Sequence, residues 1–395
     1  MMVATALVLL MTPGLAFFYG GLVGRKDVLA IMMQSFVSLG VTTVLWLTVG
    51  YSFCFGSDIG GIIGNPADFF LLHGLGVNDL APGLEIPVYL FVAYQLMFAV
   101  ITPALITGAF ANRMTFKAYL ALLVSWQLLV YYPFVHMVWG GGWMADFGVL
   151  DFAGGIVVHA VAGMAALASI LFIGKRQFKG AELHNIPLVG LGTALLWFGW
   201  FGFNAGSALA VNSVTTLAFL NTQIGGAFAG VTWMLIEWKT NKKPSFVGFC
   251  VGAVAGLATV TPAAGFVAPS GAMLIGIFAG IIPFGAVRFC KKRGWDDALD
   301  VWGVHGVGGM TGVLMLGLLA TTAVNPDGAN GLFFGDSTFF VHELIGLAVS
   351  CIWAFLVTYA LLWAINKVTP VRVSTQVEQD GLDGALHGEA AYTDA

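Results

Sequence analysis

The chain has 395 residues, of which 58% are hydrophobic and only 9% charged, with 53 glycines and a formal net charge of −4. A soluble domain carries about 25% charged residues, so composition excludes a water-solvated protein and places most of this chain in lipid. Neither an enzymatic activity nor a nucleic-acid partner is expected.

Eleven apolar spans are predicted, at 2–23, 29–50, 86–110, 117–138, 152–173, 186–206, 215–236, 245–261, 271–288, 302–320 and 340–365. The first run has no basic segment before it, and its basic pair follows it, so it reads as a span rather than a cleaved signal. Span eight is short and closed by Pro262. Arg25 and Lys26 follow span one, Arg113 and Lys117 follow span three, and Lys175, Arg176 and Lys179 follow span five. Lys239, Lys242 and Lys243 follow span seven, and Arg288, Lys291, Lys292 and Arg293 follow span nine. Lys367 and Arg372 follow span eleven. All sixteen Lys and Arg thus fall on alternate loops, and the loops between contain none. The positive-inside rule then puts the N-terminus outside and the C-terminus in the cytoplasm of a multi-pass protein of the cell (inner) membrane. Cys54, Cys250, Cys290 and Cys351 show no CxxC spacing and read as buried, inert thiols, with no metal site or cofactor implied.

Two apolar stretches match. His159-Ala160-Val161-Ala162-Gly163-Met164 parallels His305-Gly306-Val307-Gly308-Gly309-Met310, and each histidine follows an aspartate, Asp151 or Asp297, by eight residues. The match predicts a duplication: residues 1–174 as a first repeat of five spans and 175–320 as a second. Residues 321–368 add a loop and a bracing eleventh span, and 369–395 form a cytoplasmic tail. Five crossings are an odd number, so the second repeat is inserted upside down relative to the first. Each histidine lies about 12 Å along the helix from its aspartate, close to the half-thickness of the hydrocarbon of about 15 Å. Both rings therefore arrive near the midplane from opposite faces. The Gly-rich span ten (Gly303, Gly306, Gly308, Gly309, Gly312) suits close helix packing.

An ionisable ring in a span is a functional-site hypothesis, here a pair of imidazoles lining a narrow path; the bland reading is two core histidines bonded to helix carbonyls. Trp139, followed by Gly140-Gly141-Gly142, is either an interfacial anchor or the wall of a pocket that attracts a small cation through its ring face. Ser207, closing Gly199-Trp200-Phe201-Gly202-Phe203-Asn204-Ala205-Gly206, offers a hydroxyl beside it. Asp151 and Asp297 either meet a cation or cap a helix, and the cap is favoured for both and for Asp300.

These segments resemble the ammonium transporter, methylammonium permease and Rhesus superfamily, in particular its microbial ammonium transporter branch. The resemblance rests on Pro13-Gly14 through Phe17-Phe18-Tyr19-Gly20-Gly21, His136 to Gly142, Asp151-Phe152-Ala153-Gly154-Gly155 through His159, Gly199 to Ser207, Asp300 through Gly306, and Gly381-Leu382-Asp383 with His387-Gly388-Glu389. It implies a homotrimer with one pore per subunit, carrying ammonium or ammonia, with methylammonium as an analogue. It implies an outer recruitment site of Trp139, Phe98 and Ser207 supported by Asp151, a gate of Phe98 and Phe203, and a pore lined by His159 and His305. Tyr94 stands where the family has a second aromatic near the gate. The tail implies contact with a PII-type signalling protein. The competing readings are a passive Rhesus-type ammonia channel, an ammonium sensor with little transport, and a membrane enzyme or haem protein using the two histidines as ligands.

Overall fold

The computed structural model describes residues 1–178 and 183–392. Lys179 and the end of the tail lie outside these residues. Eleven long helices follow one another among the described residues: α1 (Met2–Leu22), α2 (Val28–Phe55), α3 (Val88–Ile106), α4 (Phe116–Trp139), α5 (Gly155–Ile173) and α6 (Ile186–Gly206). After these come α7 (Ser213–Asn241), α8 (Phe246–Ala263), α9 (Pro269–Arg293), α10 (Trp302–Leu319) and α11 (Ser337–Val368). Ten are long and apolar enough to cross a membrane. The exception is α7, whose polar Asn221, Gln223, Glu237 and Lys239 dilute its apolar run. Val44, Phe198, Ile352 and Trp363 are large, apolar and exposed, as a lipid-facing surface requires.

Most helix starts are written locally. Thr115 accepts from the Ala118 amide, Ser245 from Gly248, and Asp336 from Thr338 and Phe339. Asn212 forms a capping box with Thr215. Pro269 opens α9, where its missing N–H costs nothing.

Glycine sets the distances between the central helices. A Cβ on Gly192 of α6 would lie 2.3 Å from the Phe18 amide nitrogen of α1, and one on Gly163 of α5 would lie 2.0 Å from the Gly306 Cα of α10. The glycines of α10 meet different neighbours: Gly303 faces Val287 of α9, Gly309 faces α5 at Ala160, and Gly312 faces Thr259 of α8. With little hydrophobic drive between helices in lipid, such close backbone contact supplies the van der Waals packing.

One end of the bundle gathers charge. Asp296 takes Arg176 in a two-pronged ion pair with contacts of 2.6–3.2 Å, and Arg113 approaches it at 3.6 Å. Glu378 in the tail helix α12 (Thr375–Asp380) pairs with Arg372 at 2.7 Å. Asp383 accepts the Leu29 and Ala30 amides, and Asp27 accepts the Leu382 amide at 2.9 Å. The tail is therefore stitched to the basic loops. At the opposite end, residues 56–87 fold over the helix ends around a short antiparallel pair, β1 (Asp58–Ile59) and β2 (Ile63–Gly64).

Candidate functional site

The two histidines meet. His159 and His305 both sit in π-helical turns, Gly155–Ala160 at the start of α5 and Trp302–Val307 at the start of α10. Such turns are rare and concentrate at functional sites. Their Nδ1 atoms lie 3.3 Å apart, with ring centroids 5.3 Å apart and planes inclined by 22°. One nitrogen must donate and the other accept, so the accepting ring is neutral. The core-histidine reading, in which each ring bonds a helix carbonyl, does not describe this contact. The Nε2 of His159 is buried without a hydrogen-bond partner.

Above this pair stands an aromatic column. Phe203 lies 5.9 Å from the His159 ring and nearly parallel to it, and Phe98 lies 4.4 Å from Phe203. Trp139 meets Phe98 edge-on at 6.0 Å, and Tyr94 does so at 5.0 Å. Phe98, Trp139 and Ser207 line one cavity of about 300 Å³ together with Gln95 and Phe152. Below the column, His159, His305 and Phe203 share a second, apolar void with Leu15, Trp200 and Val254, of about 10 Å³. That is roughly the room one water-sized molecule needs.

Five of the six residues singled out in sequence with Phe98 thus form one continuous line with it: Trp139 and Ser207 at the mouth, then Phe203, then the two histidines. Asp151 stands apart. Its carboxylate accepts four amides at the start of α5, from Gly154, Gly155, Ile156 and Val157, at 2.6–3.1 Å. Burial pushes this carboxyl above its ordinary value while the amides pull it back. Four N–H donors leave no acceptor for a carboxyl hydrogen, so the favoured capping role fits. Its backbone carbonyl takes the Trp139 indole N–H at 2.8 Å, which links the cap to the mouth. Asp297 is a weaker copy: one oxygen accepts the Trp302 amide at 2.7 Å and the other is unpartnered. Asp300 pairs with Lys291 instead of capping.

A family model described as Ammonium Transporter Family matches residues 1–392. The chain belongs to the ammonium transporter family. It is 45% identical to an ammonium transporter of Bacillus subtilis over 98% of this chain and 96% of the relative. It is 47% identical to ammonium transporter Amt1 of Archaeoglobus fulgidus, over 99% and 97%. Among solved structures it resembles a sensor Amt protein at TM-score 0.88 and 31% identity, covering 98% of this chain and 96% of that one. It also resembles Mep2 of Candida albicans at TM-score 0.87 and 34% identity, covering 94% and 85%. Family members are membrane transport proteins rather than enzymes, and ammonium is their cargo.

Two more aromatics adjoin this transporter's central line: Trp200, to which the sequence assigned no role, and Tyr94, which the resemblance had placed near the gate. Trp200 stacks on His159 at 5.5 Å and 25° while its N–H bonds Thr261 at 2.9 Å. A Trp inside a run of aromatics carries no mark that separates pore from core. Tyr94 donates to the Gly202 and Phe203 carbonyls at 2.9 and 3.0 Å and lies 3.3 Å from the Ser207 hydroxyl. It ties α3 to the end of α6. Its hydroxyl bonds are spent there, which is why a tyrosine can occupy this position without adding an unsatisfied polar group to the mouth.

Proposed function

We propose that this chain carries ammonium across the cell (inner) membrane through one pore per subunit of a homotrimer. The reading has eleven spans, the N-terminus outside and the tail inside, which the gathering of basic loops at one end supports. Residues 1–174 and 175–320 are the two inverted repeats, in accord with the pairing of α1 with α6 and of α5 with α10. Residues 321–368, with α11, brace them. The cation is recruited between Trp139, Phe98 and Ser207, over ring faces that attract it, with Asp151 holding the Trp139 indole rather than touching the ion. It loses its proton near the gate of Phe98 and Phe203. Ammonia then passes His159 and His305, with or without that proton following.

The observation that carries this reading is the bare, buried Nε2 of His159, a residue that lines an apolar void beneath the packed rings of Phe203 and Phe98. A neutral molecule that can hydrogen-bond regains there what it lost on leaving water. An alkali ion of similar size has no proton to leave behind and no polar shell to replace its hydration. The test is uptake in proteoliposomes: His159→Leu is expected to abolish it, and normal uptake by that variant refutes the role. Net current on adding ammonium separates coupled proton movement from a Rhesus-type gas channel. The likeness to a solved sensor Amt protein favours a sensor as the second reading, which would show binding without flux. The docked tail supports a cytoplasmic platform for a PII-type partner.

A further inference from the structure

We infer that His136, one helical turn before Trp139 on α4, is a positioning residue for the outer aromatic wall and works as an imidazolium paired with Asp58. The inference rests on the reading that Trp139 recruits the cation. The ring is fully buried. Its Nδ1 lies 2.9 Å from the Cys54 carbonyl oxygen, and its Nε2 lies 2.9 Å from Asp58 Oδ1. A carbonyl and an ionised carboxylate only accept, and a neutral imidazole has a single N–H to give. Both bonds therefore exist together only when the ring carries two hydrogens and a positive charge. The His136 hydrogen bond, and after it the Gly61 amide, hold the Asp58 carboxyl below its ordinary value, so the acceptor is ionised.

The pair closes a clamp around the bend that follows Trp139. Asp58 also accepts the Gly61 amide, the Gly61 carbonyl accepts the Trp143 amide at 2.9 Å, and the His136 carbonyl accepts the amides of Gly140 and Gly142 at 3.0 Å. There is no slack in it. A Cβ on Gly140 would lie 2.0 Å from the Cys54 carbonyl and 2.8 Å from His136 Nδ1. Trp139 is thus held from below by the Asp151 carbonyl and from behind by the His136 clamp. Other titratable groups on the packed elements are Tyr51 and Cys54 of α2, Tyr132 of α4, Asp146 and Asp151. The Cys54 thiol faces the Tyr132 carbonyl at 3.9 Å, Tyr132 bonds Gln127, and the Asp151 carboxylate is taken by its four amides. Asp58 is the acidic partner with a bond to the ring.

Removing either partner breaks the bond between Nε2 and Asp58. The hairpin then loosens and the Trp139 wall shifts, while the histidines of the pore are untouched. The signature is a rise in KM with little change in maximal rate.

The experiment is methylammonium uptake by the full chain in proteoliposomes at one fixed pH. Asp58→Asn is expected to raise KM about fivefold with little change in maximal rate, below the ~100-fold that a 1 Å misplacement can cost. His136→Gln is expected to do the same, and the double variant to raise KM no further than either single one, because both changes break the same bond. An unaltered KM in Asp58→Asn when Trp139→Leu raises KM overturns the inference, and needs no folding of the histidine variant. So does a double variant whose KM rise is the product of the two single ones. An unchanged KM in Trp139→Leu instead overturns the recruitment reading beneath it, and this inference with it.

Discussion

Removing the Asp151 carboxylate should cost this protein both stability and substrate affinity, and the size of the loss follows from its bonds. Its two oxygens accept four amides, two apiece, in the first turn of α5. Each buried amide left without a partner costs about 1–3 kcal/mol. Asp151→Ala therefore loses about 4 kcal/mol at the least, against a total stability of about 5–15 kcal/mol for a typical domain. Asp151→Asn keeps one accepting oxygen and turns an NH2 group toward the other two amides, so about half of that loss is expected. The Trp139 indole hangs on the carbonyl of the same residue, so KM should rise with the melting change. Thermal unfolding in detergent, read beside methylammonium uptake, checks both, with the order unmodified, Asn, Ala in falling stability. An alanine variant that melts and transports like the unmodified chain would refute the capping argument.

At the charged end, burial raises the Asp296 carboxyl but Arg176 and Arg113 outweigh it, and hold it down from 3.8 to about 2. Its stabilisation is then present above the unfolded value and lost as pH falls from about 4 through about 2, worth about 2 kcal/mol. Asp296→Asn should melt lower than the unmodified chain at neutral pH, and the gap should close near pH ~2; a gap that persists there counts against the ion pair. In the centre, Gly163→Val would press a side chain onto Gly306, since even a Cβ comes within 2.0 Å of its Cα. The expected result is folded protein with uptake lowered about 100-fold, because the imidazoles move by about 1 Å; normal uptake would show that α5 and α10 tolerate separation.

How much of this was legible in the sequence depended on whether a residue advertises its environment. Charge does so in lipid: the alternating Lys and Arg located the helices well enough that α5 and α6 begin and end within a few residues of expectation. His159 and His305 advertise themselves too, being ionisable groups in apolar runs, and the repeated frame around them foretold that they meet. Backbone geometry does not. Nothing in Gly155–Ala160 or Trp302–Val307 spells a π turn, because the same residues fit an α-helix. The loop at 51–85 read as one long connection, whereas α2 runs on to Phe55 and a hairpin follows. His136 was visible as part of a motif, but its partner Asp58 lies 78 residues earlier, beyond the reach of any local pattern. The low apolar content of α7 did not stop it forming a 29-residue helix, since its Gly225, Gly226 and Gly230 face α8, α9 or Trp197 rather than lipid.

The narrowness of the void beneath Phe98 and Phe203 bears on the species proposed to cross it. With about 10 Å³ of free space lined by Leu15, Phe18, Trp200 and Val254, a cation would pass without its water and without a counter-charge. Moving an unpaired ion into such surroundings costs far more than the bonds two imidazoles can return, whereas an uncharged amine loses only a few kcal/mol of hydration. A hydrogen bond to the His159 Nε2 offsets much of that smaller loss. The proposed proton loss above Phe203 is what this difference requires: the aromatic mouth suits a cation, the space below it suits a neutral molecule, and the two phenyl rings at 4.4 Å mark the boundary between them.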